Sequence, residues 1–311
     1  MAARGMKRDA DPVDGVLLLN KPSGMTSNRA LQIVRKLLNA RKAGHTGSLD
    51  PAATGMLPLC FGEATKVCAY LLNADKSYRV TMQLGSATDT GDGDGQETVT
   101  APIPDMSTEQ WNDIIQGFGG ESTQIPPMYS ALKIGGKRLY ELARKGETVE
   151  RKPRSIRIDK VELLEHAGAR LVFRVRCSKG TYIRVLAEDI AKKAGTVAHT
   201  ARLHRESVGD FEEDRMLDMT VVEGLAEEGL ESLRAKLLPA DIVLTDMPQV
   251  SVESDDALRF CSGQAVQVPA DGQEGLVRVY EVGQQFLGVG ELSGDGVLSP
   301  RRVFLTQEKT S

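Results

Sequence analysis

The sequence predicts an α+β sheet domain followed by a small β-rich module. Strand-like and helix-like patterns alternate at irregular intervals up to about residue 245, which is typical of an α+β domain. From residue 246 the pattern changes to short alternating strands separated by Gly/Asp turns. A chain of 311 residues is long enough for roughly two domains and a sizeable core.

The first elements follow from apolar spacing and turn residues. A buried strand is predicted over 15–19, and Pro22 and Gly24 end it. Apolar residues at helical spacing from Ala30 to Leu38 then predict an amphipathic helix. The further predictions in this half are a helix over 62–72, a half-buried strand over 76–84, a Gly/Asp-rich turn over 88–95 and a helix over 107–117.

The second half continues with helices and strands up to residue 195. We predict a short helix over 138–144, strands over 155–164 and 170–177, an extended segment over 180–184 and a helix over 185–193 that ends at Gly195. In the last module the predicted strands are 249–252, 265–268, 275–281, 285–290 and 302–305.

Charge is divided along the chain, although the net charge is only −4. Residues 206–311 hold 8 Lys and Arg against 21 Asp and Glu, whereas residues 1–205 hold 31 against 22. The segment 133–157 is the most basic, with Lys133, Lys137, Arg138, Arg144, Lys145, Arg151, Lys152, Arg154 and Arg157. Such a segment either contacts phosphates, gaining affinity by counterion release, or is a solvated helix face.

Several function classes are excluded by what the sequence does not contain. The four cysteines form no CxxC pair and the four histidines have no metal-ligand spacing, so we expect reduced thiols and no structural zinc. No glycine-rich nucleotide-binding motif occurs, so we expect no nucleotide cofactor. No apolar run approaches the ~20 residues of a membrane span, and no secretion signal begins the chain, so we expect a cytoplasmic protein without a membrane partner.

The segment 44–58 carries one acid, Asp50, among three glycines and two prolines. Glycine permits backbone conformations closed to other residues and proline fixes its own φ, so we predict neither an ordinary helix nor an ordinary strand here. Such a loop presents side chains, and Asp50 is the candidate reactive group. The alternative is an Asp-Pro turn in which the carboxylate only caps its own backbone.

Six segments together resemble the bacterial tRNA pseudouridine-55 synthase (TruB) family. They are LNKPSGMTS at 19–27, GHTGSLDPAATGMLP at 44–58, KSYRV at 76–80, GSATDTGD at 85–92, QIPPMYSALK at 124–133 and CSKGTYIR at 177–184. They occur in the family's order within residues 14–210. The resemblance implies a pseudouridine-synthase-type catalytic domain over 13–245, built on a mixed, mainly antiparallel sheet with flanking helices. It also implies a flexible tail over 1–12 and a PUA-like β module over 246–311.

The implied activity is isomerisation of uridine 55 in the T-loop of tRNA to pseudouridine, without cofactor or metal. Asp50 matches the family's catalytic aspartate and would attack either the ribose C1′ or the base C6. No second carboxylate lies near it in sequence, unlike the pair of a retaining glycosidase. The implied partner is tRNA, bound at its T-arm and elbow, and the enzyme is expected to be a monomer.

The resemblance assigns roles to further residues. Arg184 would pair with Asp50, Tyr78 would stack on the target base and is a candidate for removing the C5 proton, and Tyr182 would line the pocket. The base must be extruded from the T-loop, and His45 matches the residue that takes its place. Leu203 would contact the substrate, although His204 beside it stands where relatives often carry arginine. Lys21 would support phosphate or loop positioning.

The basic segment coincides with the family's thumb-like insertion, 125–154, which favours RNA contact by Lys133, Lys137, Arg138, Arg144 and Arg154. Two other functions stay open at this point. The chain could be an RNA-binding chaperone that opens the tRNA elbow, with chemistry secondary, or an RNA N-glycosylase that releases uracil.

Overall fold

The computed structural model describes residues 10–269, 272–283 and 285–304. Its strands are β1 (Gly15–Lys21), β2 (Ala43–His45), β3 (Thr54–Phe61), β4 (Lys76–Leu84), β5 (Ser86–Thr88), β6 (Glu97–Thr100), β7 (Gly120–Gln124), β8 (Lys133–Ile134), β9 (Lys137–Arg138), β10 (Arg154–Ala167), β11 (Arg170–Cys177), β12 (Ala198–Val208), β13 (Leu217–Asp218), β14 (Gln249–Val252), β15 (Val266–Gln267), β16 (Gly275–Glu281), β17 (Gln285–Leu292) and β18 (Val297–Val303). The α-helices are α1 (Ser27–Leu37), α2 (Cys68–Asn73), α3 (Thr108–Gln116), α4 (Leu139–Ala143), α5 (Ile183–Lys193), α6 (Met219–Glu228), α7 (Leu230–Arg234) and α8 (Ser254–Cys261), with short 3-10 helices at Gly62–Val67, Glu213–Arg215 and Ala240–Leu244.

The large sheet has the strand order β13-β1-β3-β12-β4-β11-β10-β7, and β2 adds to β3. The pairs β1–β13 and β3–β12 are parallel and the other pairs are antiparallel. A second sheet of five strands, in the order β14-β16-β17-β18-β15, forms the C-terminal module together with α8. The predicted α+β class, with a mixed and mainly antiparallel sheet and a β-rich module, is therefore confirmed.

Two cores support the two halves of the large sheet. Helices α3 and α5 cover β4, β10 and β11 around the buried Trp111 and Phe173. On the other half, α1, α6 and α7 pack on one face of β1 and β3, while α2 and the 3-10 helices pack on the other. Because β1 is buried on both faces, it is a continuous apolar run rather than an alternating one.

The two halves meet where β3 and β12 run side by side for two residue pairs, His204 with Thr54 and Arg205 with Gly55. Gly55 has φ +100°, and a Cβ there would lie 2.3 Å from the Arg205 carbonyl oxygen. Only glycine allows two backbones to approach this closely. This contact brings the end of the 44–58 segment to the middle of the sheet.

The C-terminal module contacts the domain of the large sheet through the side chains of Val67, Leu244, Val289 and Phe304. The Lys66 Nζ donates to the Val303 carbonyl at 2.6 Å, and the Tyr280 hydroxyl donates to Asp241 at 2.7 Å. No helix in the described part of the chain is long and apolar enough to cross a membrane.

The predicted irregular segment 44–58 is wrong at its two ends, which are strands. Pro58 is tolerated in β3 because it lies in a gap between two neighbouring strands on that edge. The pairing with β12 ends at Gly55, and the pairing with β2 begins at Leu59. The Pro58 carbonyl accepts from the Thr46 N–H at 3.2 Å, so no ladder bond needs the missing proline N–H. The irregular part is 46–53.

Other boundaries also differ from prediction. The 62–72 segment is a 3-10 turn followed by α2, because Gly62 turns sharply at φ +53°. The 180–184 segment is not an extended strand, because Gly180 lies in a turn at φ +81° and α5 begins at Ile183. Asp11, within the predicted flexible tail, is anchored by its N–H bond to the Asn39 carbonyl at 2.7 Å, while residues 1–9 lie outside the described residues. The last strand ends at Val303, and Leu305 is likewise outside them.

Besides β2 and β3, sequence patterns missed the strands β5 to β9, β12 and β13 and the helices α6, α7 and α8. In β12 two register shifts and a run of three buried polar residues, Arg205, Glu206 and Ser207, break the alternation that identifies a strand. The missed elements explain why the C-terminal third appeared poorer in helix than it is.

Candidate active site

The loop 46–53 carries Asp50 and leaves β2 at the middle of the sheet. The Ser27 hydroxyl, at the start of α1, accepts from the Leu49 N–H at 2.8 Å and donates to the Leu49 carbonyl at 3.1 Å. The Asp50 carbonyl also accepts from the Ala53 N–H at 3.1 Å, which closes a tight turn. These bonds fix the loop at Leu49, directly before Asp50, and so orient Asp50.

Lys21, at the end of β1, holds the same loop from beneath. Its side chain is fully buried, and Nζ donates to the carbonyls of Pro22, Met25 and Pro51 at 2.9, 2.8 and 3.1 Å. An ammonium has three donors, so all are used within the protein. Burial lowers the Lys21 pKa to about 8, against the attraction of Asp50. Of the two roles expected for Lys21, the geometry matches loop positioning.

Arg205 is a second buried cation beneath the loop, and sequence reasoning missed it. Its side chain donates to the Met56 carbonyl at 2.6 Å and to the Gly47 carbonyl at 3.1 Å, which ties β12 to both ends of the loop. The guanidinium also reaches the Tyr78 hydroxyl. The only sequence signal was a cluster of basic residues around Leu203, which does not distinguish a buried arginine from a surface one.

Asp50 and Arg184 form an ion pair, as the resemblance implied. The Arg184 Nε lies 3.0 Å from Asp50 Oδ2; the arginine side chain is only 6% exposed, whereas that of Asp50 is 41% exposed. Burial raises the Asp50 pKa above its usual range, and Asp92 adds to this, while Arg184 and Lys21 oppose it. The result is a carboxylate that is oriented by a fixed cation and open on one side.

Arg184 is itself held by two loops. Its Nη1 donates to the Thr90 carbonyl at 2.6 Å and its Nη2 donates to the Tyr129 carbonyl at 2.7 Å, with Asp92 Oδ2 3.6 Å from Nη1. Each of the three guanidinium nitrogens thus has a partner, which fixes the Arg184 side chain relative to the first turn of α5. The expected extended position for Arg184 was wrong, but its expected partner was correct.

Tyr78 and Leu203 lie on neighbouring strands beside this ion pair. Leu203 is directly opposite Val80 and Arg205 is directly opposite Tyr78 in the β4–β12 register. Both Tyr78 and Leu203 are half-buried against the core. Burial raises the Tyr78 pKa, an effect that Arg205 partly opposes, so the phenol stays protonated at neutral pH.

Tyr182 stands at the N-cap of α5, two residues before Arg184. The Gln124 side chain fixes its backbone from β7, since Nε2 donates to the Tyr182 carbonyl at 3.1 Å and Oε1 accepts from its N–H at 2.7 Å. Gln124 belongs to the QIPPMYSALK motif, from which no role for it is predicted. In the structure it satisfies the backbone N–H of the N-cap residue, as the N3 side chain of a capping box does.

His45 ends β2, half-buried, five residues before Asp50. Burial and the nearby Arg205 lower its pKa, so the ring is neutral at physiological pH. Its Nδ1 is buried and has no hydrogen-bond partner among the described residues. His204, next to Leu203, is instead bound by the Thr54 hydroxyl and Glu213, both at 2.7 Å.

The basic segment lies at one side of this site. A two-residue hairpin, β8 and β9, precedes α4, and the five expected RNA contacts are all exposed: Lys133, Lys137, Arg138, Arg144 and Arg154. Arg138 and Arg144 lie over the Tyr140 ring at 5.8 and 5.5 Å. A cavity of about 420 Å³ separates this segment from α5. Within the described ranges, no cluster of three or more His, Cys, Asp or Glu is placed to hold a metal ion.

Comparison with known proteins gives matches along the chain. Residues 35–183 match the TruB family pseudouridylate synthase N-terminal domain, 184–245 the tRNA pseudouridylate synthase B C-terminal domain, and 248–304 the domain described as pseudouridine synthase II TruB, C-terminal. The tRNA pseudouridine synthase B of Dechloromonas aromatica is 51% identical over 297 residues, 96% of this chain and 97% of that protein. That of Nitrosococcus oceani is 48% identical over 295 residues, 95% and 96% of the two chains.

Among solved structures, a chain of a Cbf5-Nop10-Gar1 complex matches with a TM-score of 0.72 and 25% identity, covering 94% of this chain and 85% of that one. A chain of an H/ACA RNP bound to a substrate RNA containing 2′-deoxyuridine matches with the same TM-score and coverage at 23% identity, a level that supports the fold.

Proposed function

Because the chain belongs to the TruB family of tRNA pseudouridine synthases, we propose that it isomerises uridine 55 in the T-loop of tRNA with Asp50 as the attacking group. The chain is an isomerase that acts on tRNA. The observation that carries the assignment of Asp50 is its ion pair with Arg184, 3.0 Å long and partly open to solvent. An ionised, oriented carboxylate is what nucleophilic attack requires.

The reaction transfers no atom to or from the enzyme overall. Attack of Asp50 on the ribose C1′ breaks the N1–C1′ bond directly, whereas attack on the base C6 loosens that bond through the ring. In both routes the base turns, C5 bonds to C1′, C5 loses its proton, N1 gains one and Asp50 is released unchanged, so that the product is an isomer of the substrate. Arg184 keeps the carboxylate ionised and aimed in either case.

Tyr78 acts in this proposal as a stacking platform for the base. Burial raises its pKa by more than Arg205 lowers it, which leaves little phenolate at neutral pH and argues against a role as the base that removes the C5 proton. Stacking on an aromatic side chain is worth about 1–3 kcal/mol per base. Tyr182 and Leu203 would complete the pocket walls.

Access to the buried uridine requires base flipping, which costs a few kcal/mol. We assign His45 to the space that the base leaves, because a neutral, flat ring can stack there without bringing a charge. Lys21 positions the loop and does not contact the substrate.

We assign binding of the T-arm and elbow of the tRNA to the exposed thumb, 125–154. Its contact residues are Lys133, Lys137, Arg138, Arg144 and Arg154. Its exposed cations can neutralise phosphates, while the acidic C-terminal part of the chain is a poor phosphate ligand. In this organisation 13–245 is the catalytic domain and 246–311 a PUA-like module. We propose that the enzyme works as a monomer in the cytoplasm.

The decisive experiment incubates a tRNA transcript with the wild-type chain, Asp50→Asn, Asp50→Ala and a control, Asp113→Asn. Asp113 is an exposed carboxylate on α3, away from the loop. Carbodiimide mapping should find pseudouridine at position 55 with the wild type and the control only, while both Asp50 variants bind tRNA within a few fold. Turnover by either Asp50 variant would contradict the proposed nucleophile, and free uracil would indicate glycosylase chemistry.

The exposed thumb cations also favour a second function, tRNA refolding that needs no chemistry. In that case Asp50→Ala would accelerate the refolding of a misfolded tRNA as well as the wild type. Loss of refolding in Asp50→Ala would instead tie it to catalysis.

A further inference from the structure

Cys60 and Cys68 face each other on the side of β3 that packs against α2. Cys60 is fully buried in β3, and Cys68 is the first residue of α2 and is partly exposed. Both belong to the same apolar cluster, and the Cys60 thiol is within hydrogen-bonding reach of the Cys68 sulfur. Gly44 lies opposite Cys60 in the β2–β3 register. A Cβ added to Gly44 would lie 3.6 Å from the Cys68 Sγ, so Cys68 is close to this pair.

The surroundings of the two sulfurs differ in the way that a reactive thiol pair requires. The Cys60 hydrogen bond and the nearby Lys42 ammonium lower the Cys68 pKa, whereas donating that bond and burial raise the Cys60 pKa. The thiolate therefore forms on Cys68, which is the more exposed of the two cysteines. A thiolate next to a cation and partly exposed is the oxidisable kind of cysteine.

We propose that Cys68 and Cys60 form a redox pair that hydroperoxides convert to an intramolecular disulfide. The Cys68 thiolate attacks the terminal peroxide oxygen, the O–O bond breaks, and an alcohol or water leaves while Cys68 becomes a sulfenic acid. The Cys60 sulfur then attacks the Cys68 sulfur, and the hydroxide that leaves takes the Cys60 proton as water. Two thiols and one hydroperoxide thus give one disulfide, one water and one alcohol or second water.

The pair would protect Cys68 from irreversible oxidation. A sulfenic acid without a neighbouring thiol proceeds to sulfinic acid under excess peroxide, whereas a disulfide is restored by thiol reductants. Because disulfides in reducing compartments are transient, the reduced form is the resting state. None of the residues placed in catalysis takes part, so the proposal is separate from the active site.

The test treats the full chain with hydrogen peroxide, blocks free thiols and maps the peptides by mass spectrometry. We expect a Cys60–Cys68 linked product about 2 Da lighter than the two thiol forms, reversed by dithiothreitol. Cys261, half-buried and with a raised pKa, is the internal comparison for an ordinary thiol. Absence of the 60–68 link, or oxidation of Cys68 no faster than Cys261, would overturn the proposal.

Two variants separate the roles of the sulfurs. Cys60→Ala should leave Cys68 to accumulate sulfenic acid, trapped by dimedone, and then sulfinic acid. Cys68→Ser should leave Cys60 unmodified at the same peroxide dose. Oxidation of Cys60 in Cys68→Ser would contradict the order of steps. The wild-type map decides the proposal even if Cys60→Ala folds poorly, since Cys60 is a core residue.

Discussion

At the scale of single residues, the site depends on the ionisation of one carboxylate, Asp50, which burial disfavours. Burial raises the Asp50 pKa and Arg184 lowers it, and the first effect is larger. Asp50 therefore loses its charge at a higher pH than a free aspartate, whose pKa is about 3.9. Arg184 matters because it limits this shift.

We therefore expect the acid limb of kcat/KM to lie above the usual aspartate range. In Arg184→Met the favourable charge is gone, so the limb should move to higher pH and the rate at neutral pH should fall at least tenfold. The measurement is pseudouridine formation on a T-arm RNA between pH 4.5 and 8. An unchanged limb in the variant, with only the plateau lowered, would show that Arg184 does not set the Asp50 charge.

The sequence identified the reactive residues better than their supports. Asp50, Arg184 and Tyr78 were found through motifs, and the structure places Asp50 against Arg184, with Tyr78 on the strand next to Leu203. Gln124 and Arg205 act through carbonyl and amide groups of distant segments. Such bonds use no pattern of side-chain types, so spacing along one chain cannot predict them.

At the scale of elements, the parallel contact between β3 and β12 is the feature on which the site is built. Strand propensity does not predict β12, because its bulges and its buried polar residues interrupt the alternation of apolar and polar side chains. Arg205, one of these polar residues, supports the Asp50 loop. Helix α5 was also placed two residues late, since its N-cap bonds come from Gln124 on β7. Both failures occur where a long-range polar contact replaces a local signal.

Arg205 gives this contact a direct test. Arg205→Met removes the donors to the Met56 and Gly47 carbonyls, and leaving such buried groups unpaired costs roughly 1–3 kcal/mol each. We expect a clear drop in Tm and a lower kcat, because the Asp50 loop loses its support. Arg202→Met is the matched control, on the same strand but exposed, and should leave Tm within about a degree. Equal Tm values for the two variants, measured by calorimetry, would contradict a supporting role for Arg205.

At the scale of the whole molecule, two buried lysines make stability depend on alkaline pH. Lys76 resembles Lys21: its Nζ donates to the carbonyls of Leu71, Leu72 and Ala74 at 3.1, 2.9 and 2.5 Å, and burial lowers its pKa to about 8. Lys21 closes the active-site loop, while Lys76 closes the end of α2. The same solution, an ammonium enclosed by three carbonyls, thus occurs at both ends of the sheet's central region.

The sign of the effect follows from proton binding. Below pH 8 both the folded and the unfolded chain hold these protons, and the folded state carries the full cost of two buried charges. Between pH 8 and the ordinary lysine pKa of about 10.4 the unfolded chain binds more protons than the folded chain, so the lysine contribution to the free energy of unfolding rises with pH. Urea unfolding of the wild type and of a Lys21→Met, Lys76→Met double variant, at pH 7 to 9.5, isolates this contribution as the difference between the two curves. As pH rises through 8, the free energy of unfolding of the wild type should increase relative to that of the double variant, because only the wild type loses buried charges. A difference that stays constant with pH would mean that both ammonium groups keep an ordinary pKa, and that three carbonyls fully replace the water each lysine gave up.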